Sequence, residues 1–300
     1  MTVYPFTFSV VSNEIDEDME IVVDVAKDLG IGAIELGSVW LKPPTQLTSQ
    51  EVDRIETLVQ QAGMRINMIL STCLKSVRVA NVPEGQVGRS IEFQDHMEDL
   101  RRAIALAKQF DATVRIFSFR RENMIELGNS SPRLPQGGTI ARDSMRKVVE
   151  GLSVACEIAA RAGVTLALEN VRSCYANTGT NTQRIVDAVG AHNLKIIWDP
   201  ANSFVSGQEA FPEGYEELEM SLLVDVHIKD AKLRDAALGW TDWVCVGDGE
   251  VNYPGQLAAL ARDGYRGTLT VETHWQPREY ATRKTFDGIL QALTAAFSSG

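Results

Sequence analysis

The chain has 300 residues, 44% of them hydrophobic and 23% charged, and carries a net charge of -11. That length supplies core for one large α/β barrel or two average domains, and the acidic balance excludes a general nucleic-acid binder, which needs a basic footprint to release counterions. No apolar run is long enough to cross a bilayer, no basic region marks a signal peptide, and Cys73, Cys156, Cys174 and Cys245 form no CxxC pair, so a cytoplasmic protein with buried thiols is expected.

In chain order, TVYPFTFSVV reads as a first strand. Met19, Val22, Val23, Ala26 and Leu29 then recur with helical period, and Gly30 stops the run. AIEL (33–36) follows as a strand. Thr48 and Glu51 have capping-box spacing ahead of a helix that carries Val52, Ile55, Leu58 and Val59 and ends at Gly63. RINMIL (65–70) is the next strand. Phe93, Met97, Leu100, Ile104 and Ala107 trace a helix leading to TVRIFSF (113–119). Met145, Val148, Val149, Leu152, Cys156 and Ala159 trace another, ended by Gly163 just before TLALEN (165–170). A helix around 182–189, the strand LKIIWD (194–199), a weak helix before Met220 and the strand LLVDVHIKD (222–230) come next. A helix around 256–261 closes at Gly264, TLTVE (268–272) is the last strand, and Phe286, Ile289, Leu290, Leu293 and Phe297 mark the final helix.

Strands alternating with helices demand a parallel sheet, and eight such units in this length predict one (β/α)₈ TIM barrel domain over residues 1–300. Helix-to-strand turns are short and marked by Gly30, Gly63, Gly163, Gly190 and Gly264, while the strand-to-helix segments 71–89, 120–138 and 230–252 are long. Long loops would thus gather at the C-terminal strand ends, where barrel enzymes carry their sites. The competing doubly wound sheet lacks its glycine-rich turn after the first strand.

Period-two reading of four strands gives one pattern. Glu169 shares its side with Thr165 and Ala167, and Asp199 shares its side with Ile197. His227 shares its side with Asp225 and Lys229, and Glu272 with Thr268 and Thr270. The intervening residues, among them Leu166, Leu168, Val224, Val226, Ile228, Leu269 and Val271, would pack under the helices. Glu169, Asp199, His227 and Glu272 would then converge at the barrel mouth. Three converging carboxylates repel unless a cation or protons neutralise them. One divalent metal ion is expected, manganese first, with magnesium, cobalt and zinc as alternatives for an oxygen-rich set with one imidazole.

The segments IELG (34–37), LALEN (166–170), IIWDPANS (196–203), VHIKD (226–230), VGDGEV (246–251) and TVETHW (270–275) resemble the xylose isomerase-like TIM barrels, a family of sugar isomerases, ketose 3-epimerases, hydroxypyruvate isomerases, inosose dehydratases and endonuclease IV-like enzymes. The resemblance implies that Glu169, Asp199, His227 and Glu272 are metal ligands and that Glu169 and Glu272 form an acid/base pair. One departure is Asn202, where ketose 3-epimerase-like members carry a histidine. The endonuclease branch fits poorly, because beyond His227 the chain has only His96, His192 and His274.

The activity expected is isomerisation or epimerisation of a small ketose or polyol ketone, by proton abstraction next to a metal-bound carbonyl through an enediolate. A dehydratase of the inosose or dehydroshikimate type and a non-catalytic carbohydrate-binding barrel are the alternatives. The partner would be a small carbohydrate, without nucleic acid or membrane, and self-association is left open. Glu35, Asn202, Lys229, Arg234, Trp240 and His274 are substrate-binding candidates. Glu35 ends its strand with inward parity and could also orient a ligand or pair with Arg115, and the others too have a plainer role open to them: an ion pair for Lys229 with Glu272 or Asp230, ligand support for Asn202, a solvated rim for His274, and packing under the loop for Trp240 with Trp243 and Trp40. Arg120 and Arg121 would either recognise an anion or lie exposed on their loop.

Overall fold

The alternation of apolar and polar positions closes into a ring in the computed structural model, which describes residues 4–122, 133–235 and 237–298. In chain order the elements are β1 (Thr7–Val11), α1 (Met19–Asp28), β2 (Ala33–Leu36), α2 (Ser49–Gln61), β3 (Arg65–Ile69), α3 (Ile91–Phe110), β4 (Thr113–Ile116), α4 (Arg142–Arg161) and β5 (Leu166–Glu169). There follow α5 (Gly179–Val189), β6 (Leu194–Trp198), α6 (Pro200–Ser206), β7 (Leu223–Ile228), β8 (Asp230–Asp235), β9 (Trp240–Val244), α7 (Tyr253–Arg262), β10 (Thr268–Val271) and α8 (Arg278–Ser298).

Eight parallel strands form a closed barrel in the order β1, β10, β7, β6, β5, β4, β3, β2, and pairing of Ser9 with Thr270 and of Ser9 with Ala33 seals the first strand on both sides. The fold is a (β/α)₈ barrel, as the alternation predicts. Among the described residues no helix is long and apolar enough to cross a membrane.

Local sequence accounts for the element ends. Thr48 and Glu51 make the reciprocal capping box at the start of α2. The expected glycines do close their helices in the left-handed region, but α3 ends on Asp111 at φ 52°, one of the few side chains that tolerate that conformation.

Apolar side chains divide into two cores. The larger lies between strands and helices and takes in Leu166, Leu168, Val226, Ile228, Leu269 and Val271. A small inner cluster of Val11, Met68, Leu70, Ala167 and Ile197 plugs part of the barrel axis. Val224, expected under the helices, packs against this inner cluster instead, because the register between β6 and β7 shifts between Ile196 and Ile197.

Two other expectations need correction. The weak helix before Met220 is the short α6, which starts directly after Asp199. The run LLVDVHIKD does not form one strand: β7 stops at Ile228 and Asp230 opens the antiparallel hairpin β8–β9. The Asp230 carboxylate fixes this departure, accepting backbone N–H groups from Ala231, Gly247, Gly249 and Val251 at 2.8–3.2 Å. A Cβ on Gly249 would lie 2.1 Å from Asp230 Oδ1, so VGDGEV needs glycine there for close approach.

All four cysteines are free and buried, and burial pushes the Cys156 and Cys174 thiols up to about 12. At pH 8 the thiolate fraction of these two is then on the order of one in 10⁴. A colorimetric thiol reagent is expected to label the native protein at none of the four within minutes and at all four in denaturant. Gly249→Ala should lower stability by about 1–3 kcal/mol through overpacking at the Asp230 cradle, as read by urea unfolding.

Candidate functional site

Four consecutive barrel strands end on the residues singled out by parity. Glu169 ends β5, Asp199 follows β6 and caps α6, His227 lies near the end of β7, and Glu272 follows β10. One donor atom from each lies within 4.8 Å of the others, and all four residues are buried. His227 Nδ1 lies 3.6 Å from Glu169 Oε1 and 3.4 Å from Glu272 Oε2 and makes no hydrogen bond, although it is buried.

The other ring nitrogen explains this. Nε2 is hydrogen-bonded to Glu35 Oε2 at 2.9 Å, which turns Nδ1 toward the Glu169 and Glu272 carboxylates. Glu35 is itself held by the Thr270 hydroxyl at 3.2 Å, and Thr270 also reaches Asp225 at 2.8 Å. Burial and the neighbouring Glu35 push the Asp225 carboxyl well above its usual range.

Cations separate the carboxylates. Arg115 Nη1 sits 3.0 Å from Glu169 and 3.5 Å from Glu272, and Lys229 Nζ sits 2.5 Å from Asp199 and 2.6 Å from Glu272. Burial alone would raise the Glu169 carboxyl, but Arg115 with His227 more than offsets it and brings it to about 2. Glu272 likewise falls well below the usual range, since Lys229, His274 and His227 outweigh its burial. Asp199 goes the other way, raised by burial despite Lys229.

An oxygen-rich set of three carboxylates with one imidazole nitrogen that makes no hydrogen bond in a buried cluster fits a divalent cation. The set opens on a cavity of about 260 Å³, small for a ligand site, whose wall includes Glu14, Lys75, Arg115, Asn202, Lys229 and His274.

The model of the xylose isomerase-like TIM barrel matches residues 23–292. The chain belongs to the xylose isomerase-like TIM barrel family. Among its relatives, an inosose isomerase of Halalkalibacterium halodurans is 28% identical over 154 residues, which are 50% of this chain and 53% of that protein. The match thus spans only about half of that relative's length. The L-ribulose-5-phosphate 3-epimerase UlaE of Escherichia coli is 25% identical over 83% of this chain and 80% of its own. The solved structure of the IOLI protein with a bound zinc atom superposes with a TM-score of 0.75 at 16% identity, covering 98% of this chain and all of that one.

Within this family member, the substrate-binding candidates divide. Asn202, Lys229 and His274 line the cavity. Asn202 spends its amide protons on Asp199 Oδ2 at 2.8 Å and the Asn170 carbonyl at 3.0 Å, so it orients Asp199. Asn170 supports the same residue, exchanging hydrogen bonds of 2.8 and 2.7 Å with the Asp199 backbone. Lys229 pairs with Asp199 and Glu272, and not with Asp230 as one reading had it. His274, at φ 53°, is fixed by Glu14 at 3.0 Å with Nε2 3.7 Å from Glu272.

Glu35, Arg234 and Trp240 do not line this cavity. Glu35 is fully buried behind His227, off the cavity wall, and its partner is the imidazole instead of Arg115, so of the roles open to it the geometry matches the orientation of an expected ligand. Arg234 and Trp240 lie on the β8–β9 hairpin and not on that wall; Arg234 borders an adjoining hollow with Trp243 and His274, forks onto Asp242 at 2.7 and 3.0 Å and covers the Trp240 ring. The aromatic near the site is Trp243, whose ring lies 5.5 Å from Lys229 Nζ and packs edge-on against His274. Arg121 is buried and donates to the backbone carbonyls of Gly137 and Thr139, which removes it from anion recognition. His96 accepts from the Leu74 N–H.

Sequence reasoning missed Glu14 and Lys75 and assigned Arg115 no role at the carboxylates. A signal for Glu14 exists, since it lies three residues past a barrel strand, but its turn breaks the period-two pattern. Because a histidine that ligates a metal depends on the partner of its second nitrogen, Glu35→Gln should weaken binding of Mn²⁺ or Zn²⁺ by about tenfold or more, measured by calorimetry, with the circular dichroism spectrum unchanged.

Proposed function

We propose that this chain is a divalent-metal-dependent isomerase or epimerase of a small polyhydroxy ketone. The observation that carries the proposal is the placement of Glu169 and Glu272: each has an oxygen beside the free nitrogen of His227, both are tied to Arg115, and both line one small cavity. Glu169, Asp199, His227 and Glu272 are the residues that would hold the ion. When bound, a divalent cation polarises a carbonyl and makes the adjacent C–H more acidic.

The side chains divide the remaining work. Carboxylates kept ionised by Arg115 and Lys229 can accept a proton, so one of Glu169 and Glu272 removes the hydrogen from the carbon next to the carbonyl and the other returns it. Return to the same carbon from the opposite side gives an epimer, and return to the neighbouring carbon gives an aldose–ketose isomer. Lys229 and Arg115 fix the two carboxylates in place, and His274 with Trp243 bounds the rim near Glu272. The inosose isomerase and ribulose-phosphate epimerase relatives support this reaction class.

Incubation with Mn²⁺ and a panel of ketoses and inososes in deuterium oxide is expected to place solvent deuterium on a carbon next to the carbonyl, read by mass spectrometry and NMR. Glu169→Gln and Glu272→Gln should each reduce this exchange by 10³-fold or more, an order of magnitude typical for losing an acid/base group together with a ligand. Near-normal exchange in both variants rejects the mechanism, and a product lacking one water without interconversion of epimers reassigns the enzyme as a dehydratase.

A further inference from the structure

Three other basic side chains on the cavity wall are already committed. Arg115 and Lys229 are paired with Glu169, Asp199 and Glu272, and His274 is held by Glu14. Lys75 differs. It lines the same cavity, is partly buried, and has no carboxylate within ion-pair distance among the described residues. Its ammonium lies over the Phe117 ring, 4.8 Å from the centroid, and the same ring carries the Arg115 guanidinium at 4.9 Å.

The backbone that presents Lys75 is strained and over-determined. Leu74 is fully buried at φ 67°, a left-handed conformation that costs a side chain with a Cβ about 1 kcal/mol or more. It persists because its surroundings leave no alternative. The Leu74 N–H donates to His96 Nδ1 at 3.2 Å and the Cys73 N–H to Ser71 Oγ at 3.2 Å. The Cys73 carbonyl accepts from the Phe117 N–H, and the Lys75 N–H donates to the Thr72 carbonyl, both at 3.1 Å. The Lys75 carbonyl faces the buried Cys174 thiol at 3.7 Å. Holding a lysine stem in one place costs rotamer entropy. Among the described residues no carboxylate pairs with it to offset that cost, so a ligand is the natural counterpart.

We infer that Lys75 is the binding residue for an anionic group on the substrate, a carboxylate or a phosphoryl group, and so sets specificity for acidic over neutral polyhydroxy ketones. The ketone part of this ligand rests on the reaction proposed above, whereas the anionic group rests on Lys75 alone. Lysine suits either source because its ammonium acts as a point charge with three donors.

The test titrates the protein, free of added metal, with inorganic phosphate and separately with glycolate by calorimetry, for wild type, Lys75→Met, Lys75→Gln and Lys75→Arg. Wild type should bind at least one probe. The methionine and glutamine variants should bind it about tenfold or more weakly, and the arginine variant should stay within a few-fold, as loss of a charge-assisted contact predicts. Preference for phosphate points to a phosphorylated substrate and preference for glycolate to a sugar acid. Equal affinity in wild type and the two neutral variants, or no binding of either anion by wild type, overturns the inference, and two neutral replacements guard against one that folds poorly. If anion binding follows Lys75 while no ketose exchanges deuterium, the reaction fails and the anion site stands. If ketoses exchange but anion binding ignores Lys75, the site alone fails.

Discussion

Three carboxylates buried at one barrel mouth are the constraint that shapes this molecule. Left to themselves they would repel and take up protons, because charge in a dry interior costs several kcal/mol per ion. Compensation comes in alternation: Arg115 between Glu169 and Glu272, Lys229 between Asp199 and Glu272, and His227 facing both glutamates. Strand order makes this economical, since β10, β7, β6 and β5 are neighbours in the ring and their ends must meet. Beneath them Glu35, Asp225 and Thr270 fill the axis with a second polar layer, so the barrel is partly hydrogen-bonded where many others are wholly apolar.

How much of this was legible depended on whether a residue's role is local. Helix ends at Gly30, Gly63 and Gly163 could be read because left-handed closure is a property of the residue itself. Parity brought Glu169, Asp199, His227 and Glu272 together because side-chain direction in a strand has a fixed period, and four matching ends on successive strands leave little to tertiary detail. For Glu35 parity left a hydroxyl, a ligand and Arg115 open as partners, and the structure pairs it with His227: period two tells which side a residue faces, not how deep along the axis it lies. The hairpin was hidden inside an apparently continuous strand, since the turn depends on Asp230 finding amides twenty residues downstream. Arg234 and Trp240 belong to that hairpin, and neither lines the cavity.

Lys75 illustrates a different limit. Nothing in STCLKSV marks a lysine as unpaired, because pairing is a statement about every acidic residue in space. A leucine in the left-handed region carries no sequence mark either, unlike a glycine in the same place. Both facts emerge only when the segment between β3 and α3 is seen pinned against His96, Phe117 and Cys174.

The amide cradle around Asp230 has a consequence for how the family can diversify. Asp230 stands one residue from Lys229 and three from His227, and it grips the returning chain at Gly247, Gly249 and Val251. Everything between the two sides of that grip is an appendage with its root locked. Insertions, deletions or recombination beyond residue 233 and before residue 241 can therefore remodel the outer contour while Trp243 and the chemistry below keep their register, a division between inherited machinery and an exchangeable visor.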